Sequence, residues 1–310
     1  MRNLSVPSGK IDVVLDTDAY NEIDGQFAIS YMIKSKEKIH VKAICAAPFY
    51  NAHSESPKDG MEKSYDEVLK LLSLMRENVD VFKGSEKYLD DETKPIISDA
   101  SKMLAELSNE YSPEKPLYVV AIGAITNVAS ALLLNPEMKN NVVVVWLGGH
   151  AQHFHDTKEF NMKQDVAAAR VVMECGVPFV QLPCKGVVDS FRISKPELEY
   201  WFKGKNDLAD YLASNTIAQA ESYAKGTAWT RVIWDVTAVA WLLNDDDKFM
   251  LSRIISTPIP TYDNFYAMNH NGLSFPSPHR LSFFIISQNQ NFFKVFTKIH
   301  RFKPIRFKKR

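Results

Sequence analysis

Val13-Val14-Leu15-Asp16-Thr17-Asp18-Ala19-Tyr20-Asn21-Glu22-Ile23-Asp24-Gly25 is the stretch on which the fold turns. It opens as a short, mostly β-branched apolar run, the mark of a buried strand. Four carboxylates follow within nine residues: Asp16, Asp18, Glu22 and Asp24. Phe27, Ala28, Tyr31 and Met32 then recur at the spacing of one helix face. Acids at the carboxyl end of a strand, just before a helix, stand where open α/β sheets build their ligand sites. Carboxylates this close repel one another unless a cation or shared protons neutralise them. Hard oxygen ligands favour Ca²⁺ or Mg²⁺. The same stretch also reads as a solvated acidic loop in which Asp24 or Asn21 caps the helix.

Working outward, strand-like runs alternate with helical patterns. Strands are predicted at 11–15, 41–47, 79–82, 117–122, 142–147 and 177–182. Helices are predicted at 25–34, 60–76, 98–110, 127–134 and 167–174, with a polar loop at 51–58. This alternation predicts an open, mostly parallel sheet with helices on both faces. From about residue 190 the pattern becomes more helical, with candidates at 196–202, 208–224 and 236–243. The last part predicts strands at 252–257 and 281–287 and a helix at 291–299. No repeat or linker divides the chain, so residues 1–310 read as a single domain.

Composition narrows the function classes. Of the 310 residues, 45% are hydrophobic, enough for a substantial core. Formal net charge is zero, which gives no case for a nucleic-acid partner. Residues 300–310 are the exception, a basic stretch read as a flexible tail. The three cysteines, Cys45, Cys175 and Cys184, are too few and too scattered for a disulfide framework or a zinc site. Cys45 and Cys175 sit in apolar settings and read as buried small hydrophobes. No secretory signal or apolar run of about 18 residues is present, so the expectation is a soluble cytoplasmic protein without a membrane partner.

Polar residues stand at several other strand ends. Asn51 follows Pro48-Phe49-Tyr50 and suits either a polyhydroxylated ligand or a turn. In Gly123-Ala124-Ile125-Thr126-Asn127, Thr126 or Asn127 is placed to cap the next helix. Glu159-Phe160-Asn161 sets two hydrogen-bonding side chains around an aromatic, with Asp165 just before a helix. In the apolar run 232–240, Asp235 after Trp234 must be paired or metal-bound if buried, unless it serves as a helix cap.

In combination, Asp16-Thr17-Asp18, Gly123-Ala124-Ile125-Thr126-Asn127, Gly148-Gly149, Glu159-Phe160-Asn161 and Trp234-Asp235 resemble the inosine-uridine-preferring nucleoside hydrolase family. The resemblance runs from Val13 to about Ile299. It implies an open α/β fold with Ca²⁺ at the strand ends, and calcium-dependent hydrolysis of the N-glycosidic bond of ribonucleosides. By resemblance the metal ligands are Asp18, Asp24, Thr126 through its main-chain carbonyl, and Asp235. The ribose-binding residues are Asp24, Asn51, Glu159 and Asn161. Asp18 is implied as general base, with Asp24 and the other acids stabilising the positive charge that develops on the sugar. A homo-oligomer, dimer or tetramer, is also implied.

Two departures from the family pattern matter. Residues 19–23 lengthen the opening loop, and the expected acid pair reads Asp24-Gly25. Gly25 therefore stands where the family carries a metal-ligand carboxylate, which raises the alternative of a homologue that binds ribosides without turnover. Where some relatives place a proton-donating His before the late acid, this chain has Trp234, expected in or near the pocket. Trp229 and Tyr223 are further stacking candidates, and His53 and His153 are candidate donors to the leaving base. The opening Asp-x-Asp also invites a phosphatase with Asp16 as nucleophile. That scheme leaves Glu159-Phe160-Asn161 and Trp234-Asp235 without a role.

Overall fold

β1 (Ile11–Thr17) leads into α1 (Ile23–Ile33), and β2 (Ile39–Ala46) into α2 (Pro57–Met75) and β3 (Val81–Lys83). Next come α3 (Asp99–Leu107), β4 (Leu117–Ala121), α4 (Thr126–Leu134), the single turn α5 (Met138–Asn141) and β5 (Val142–Leu147). α6 (Phe160–Gln164), α7 (Val166–Glu174) and β6 (Phe179–Leu182) complete the alternation. This computed structural model describes residues 4–154, 156–247, 250–255, 258–266 and 299.

The six strands form one sheet in the order β3-β2-β1-β4-β5-β6, every pair parallel. The expected open parallel sheet is borne out. Strands alternate their side chains between two cores, so Val13 and Leu15 enter one and Val14 the other. The first core joins α1, α2 and later helices to the sheet through Phe27, Leu71 and Trp241. The second joins α3, α4 and α7 through Leu104, Val128 and Val172. Burial on both faces is why β5 reads Val142-Val143-Val144-Val145-Trp146-Leu147, with every residue buried. The strand order reverses direction between β1 and β4, and that seam opens a crevice at their carboxyl ends.

Asn127 stitches the seam shut from behind. Its amide donates to Asp16 Oδ1 at 2.8 Å and to the Ala46 carbonyl at 3.1 Å. Its carbonyl accepts from the Ser85 amide at 2.8 Å. Asn127→Ala strands several buried polar groups at once, and each such group costs about 1–3 kcal/mol. The expected loss is about 3 kcal/mol of unfolding free energy, read as a drop in urea midpoint at unchanged slope.

After β6 the chain forms β7 (Arg192–Ser194), α8 (Lys195–Trp201), α9 (Asp207–Ala224), β8 (Thr230–Val232) and α10 (Val236–Leu242). The helices match their predicted positions. β7 and β8 pair antiparallel as a separate two-stranded sheet that periodicity over three residues cannot reveal. The strand predicted at 252–257 is not formed over residues 252–254. Ile254 is exposed there, and Pro258 and Pro260 bring no N–H to a ladder. The strand at 281–287 and the tail at 300–310 lie outside the described residues, as does the helix at 291–299 except for Ile299. Cys45 is buried as expected, whereas Cys175 is only half-buried at the end of α7. Among the described residues no helix is long and apolar enough to cross a membrane.

Candidate active site

The crevice between β1 and β4 deepens into a cavity of about 250 Å³. Its acidic wall comes from both ends of the fold. Asp18 leaves β1, Asp24 lies in the first turn of α1, and Asp235 precedes α10. All three are at least nine-tenths buried. The Asp235 amide donates to Asp24 Oδ2 at 3.3 Å, which ties α10 to α1. Asp18 Oδ2 accepts from the Asn21 amide at 3.1 Å. β4 closes on this wall through Gly123, where an added Cβ would come within 3.2 Å of Asp18 Cγ. Glycine there lets the backbone abut the carboxylate.

Burial dominates the electrostatics. It pushes the Asp18 carboxyl well above its ordinary range, and the neighbouring Asp24 charge adds to the shift. Asp235 is raised by burial and then by Asp24 and Asp18. Asp24 rises to about 7 through burial and the Glu22 charge, held back by Arg231. Arg231 is itself paired with Glu22 at 3.1 Å. Asp16, behind the cavity, is raised to about 7 by burial despite the Asn127 hydrogen bond.

Gly25 marks a gap in this wall. A Cβ there would lie 3.3 Å from Asp235 Oδ2 and 3.4 Å from Thr17 Oγ1. The Thr17 hydroxyl is fully buried and has no hydrogen-bond partner among the described residues. A side chain at this position would thus point into the acid cluster, beside an idle donor.

The opposite wall carries Glu159 and Asn161. Glu159 caps α6, accepting from the Asn161 and Met162 amides at 2.9 Å, and it accepts from the Gly149 amide at 2.8 Å. Burial raises its carboxyl and these three N–H donors oppose the rise. Asn161 donates to the Leu147 carbonyl at 3.0 Å. Trp234 lines the same cavity with its indole N–H buried and unpartnered among the described residues.

The cavity thus gathers Asp18, Asp24, Glu159, Asn161, Trp234 and Asp235 from the sequence-predicted set. Two residues of that set lie elsewhere. Thr126, expected to contribute its main-chain carbonyl, is not among the residues lining the cavity, and its hydroxyl donates to Asp165 Oδ2 at 2.6 Å. Asn51 stands behind Asn21, donating to its Oδ1 at 2.6 Å. Among the described residues it reaches the cavity through the chain Asn51–Asn21–Asp18. Nor do Thr126 and Asn127 cap α4 through side chains; Ile125 holds the cap position. His53 and His153 are exposed outside the cavity, and Tyr223 and Trp229 do not line it. Sequence reasoning missed His150, which is buried against the cavity directly after Gly148-Gly149. Its signal was available only as a histidine following a strand-terminating glycine pair.

The inosine-uridine preferring nucleoside hydrolase family model matches residues 13–264, from β1 past the last described acid of the cavity. The chain belongs to that family. It is similar to a pyrimidine-specific ribonucleoside hydrolase, RihA of Salmonella dublin, at 25% identity over 76% of this chain and 80% of the relative. A purine-preferring ribonucleoside hydrolase from Gardnerella vaginalis shares the fold with a TM-score of 0.71, at 19% identity over 93% of this chain and 97% of that one. An inosine-uridine preferring nucleoside hydrolase from Bacillus anthracis gives 0.65, at 15% identity over 94% and 99%. This nucleoside hydrolase family member is accordingly an enzyme of the N-ribosyl hydrolase class, acting on ribonucleosides.

The family is metal-dependent in general. The donors here suit a hard divalent cation: carboxylate oxygens, buried, each raised by the charge of its neighbours. Among the described residues no three His, Cys, Asp or Glu side chains are gathered tightly enough to form a ready metal-binding group. The charge of the wall fits a cation.

Proposed function

We propose that this cavity hydrolyses the N-glycosidic bond of ribonucleosides to ribose and free base with Ca²⁺ as cofactor. The observation that carries the reading is the meeting of Asp18, Asp24 and Asp235 on one buried wall, facing Glu159 and Asn161 across a cavity. Asp18, Asp24 and Asp235 would hold the cation, which when bound lowers the pKa of a coordinated water and orients it.

The remaining chemistry belongs to the side chains. Asp18 accepts the proton of the attacking water as general base. Asp24 and Glu159 accept hydrogen bonds from ribose hydroxyls and fix the sugar. As the bond to the base breaks, positive charge builds on the ribose ring, as in other glycoside hydrolyses. Asp24, Glu159 and Asp235 stabilise it from fixed, buried positions. Asn51 supports the sugar side indirectly, by orienting Asn21 and through it Asp18.

A second reading is favoured by Gly25: a scaffold that binds ribosides but turns them over poorly, because the ligand set lacks one carboxylate. One assay separates the two. Purified protein with Ca²⁺ and a panel of purine and pyrimidine nucleosides is scored for reducing sugar. Release above blank that is abolished by chelator supports the hydrolase. Binding of nucleosides by calorimetry with no release supports the scaffold.

A further inference from the structure

Lys158, Lys163 and Lys185 are exposed and line the same cavity, so their ammonium groups stand at its mouth. Lys158 shortly precedes α6, Lys163 lies within it and Lys185 follows β6. Among the described residues none of the three pairs with a carboxylate. Lys158 and Lys163 rest over the Phe265 and Phe160 rings, 5.7 and 5.6 Å from the centroids. Their charges reach the wall that carries Glu159. Lys163 opposes the rise of the Glu159 carboxyl, and Lys185 acts on His150. His150 is 3% exposed, and its Nε2 has no hydrogen-bond partner among the described residues. Asp156 stands 4.0 Å from that nitrogen, beyond hydrogen-bond reach. A buried ring nitrogen left open costs a fold stability unless a ligand answers it.

These groups share one chemistry. Ammonium groups bind anions as point charges, and an imidazole carries its proton on whichever nitrogen meets an acceptor. A neutral ribonucleoside offers them no charge. The cavity is divided accordingly, with Asp18, Asp24 and Asp235 on one wall and the cationic groups beside Glu159 on the other. In a ribonucleoside attacked by a water at Asp18, C1′ lies at the aspartate wall. The 5′ oxygen is the ribose oxygen furthest from C1′, carried on an arm outside the ring. It is directed to the far wall, and a phosphate on it reaches the lysines. Buried Glu159 keeps its remaining acceptor position for a hydroxyl on the ring itself.

We propose that Lys158, Lys163, Lys185 and His150 form a phosphate subsite, so that the preferred ligand is a ribonucleoside 5′-monophosphate. This rests on the reading of the cavity as a ribonucleoside site. Hydrolysis then follows the same course. The oxygen of water bonds to C1′, and its proton passes to Asp18 and on to solvent. The electron pair of the broken C1′–N bond goes to the base, which takes a proton from solvent. The products are ribose 5-phosphate and the free base, and the phosphate ester stays intact. Exposed ion pairs are each worth little, so discrimination comes from three cations acting together with the buried nitrogen.

The test compares inosine with inosine 5′-monophosphate in phosphate-free buffer with Ca²⁺. Wild type is expected to show a kcat/KM at least about tenfold higher for the monophosphate, read by reducing-sugar release. Combining Lys158→Gln, Lys163→Gln and Lys185→Gln, all at exposed positions, removes that preference. His150→Ala lowers it by at least about threefold, and an equal fall on both substrates overturns the histidine's part. A wild-type preference for inosine overturns the proposal, as does a preference that survives the triple substitution. Calorimetry with ribose 5-phosphate and ribose separates binding from the steering of encounter. Ribose 5-phosphate bound at least about tenfold tighter supports the subsite, and equal binding overturns it. If wild type releases sugar from neither substrate, the hydrolase reading fails separately, and the same calorimetric pair decides the subsite.

Discussion

Asp18→Asn lowers kcat by about 10³-fold and at the same time stabilises the metal-free fold. The two effects have one cause. Asp18 sits 4% exposed beside Asp24 and within the field of Glu22 and Glu159, and each of these charges raises its carboxyl. A neutral amide of the same shape removes that repulsion and cannot take a proton from water. Parallel measurement of reducing-sugar release and urea midpoint checks both halves. A variant that lost activity by misfolding would lose stability as well. Turnover at the wild-type rate would remove Asp18 as the general base.

Gly25→Asp is expected to act in the opposite sense on metal affinity. The glycine lies in helical backbone, outside the left-handed conformations, so a side chain adds no backbone strain. Its Cβ would meet Asp235 Oδ2 at 3.3 Å and Thr17 Oγ1 and the Ala19 Cα at 3.4 Å, so the Asp235 side chain gives way by a few tenths of an ångström. A carboxylate there accepts from the idle Thr17 hydroxyl and adds an oxygen ligand and a charge to the wall. In chelator the variant should unfold at lower urea, because another like charge is buried with its neighbours. With Ca²⁺ the order reverses, and the dissociation constant should tighten by on the order of 100-fold, read by titration calorimetry. Sugar release should rise with it. Unchanged Ca²⁺ affinity would show that position 25 does not face the cation.

Much of this was written plainly in the chain. β1, β4 and β5 are unbroken apolar runs because both faces of a parallel sheet are covered, and such runs survive any context. The acids at 16–24 read equally as a site or as a solvated, helix-capping loop, and only the burial of Asp16, Asp18 and Asp24 excludes the loop. Other parts were hidden for physical reasons. β7 and β8 are three-residue strands whose pairing is a tertiary matter. Thr126 looked like a cap, but Asp165, far along the chain, captures its hydroxyl. Asn51 looked like a sugar contact, yet Asn21 stands between it and the cavity. His150 resembled the other histidines of the sequence, His53 and His153 among them. Only burial and an unpartnered ring nitrogen distinguish it, and neither is a property of the residue alone.

Glu159 shows how the wall opposite the aspartates is prepared. Its two oxygens already receive three main-chain N–H groups, from Gly149, Asn161 and Met162. A carboxylate has roughly four acceptor positions, so about one is left to offer. The rotamer is locked as the chain folds, and the entropy of ordering it is not charged again when a ligand arrives. That single free lone pair also limits what the wall accepts: one hydroxyl at one angle, delivered to a side chain that cannot swing to meet a misplaced guest.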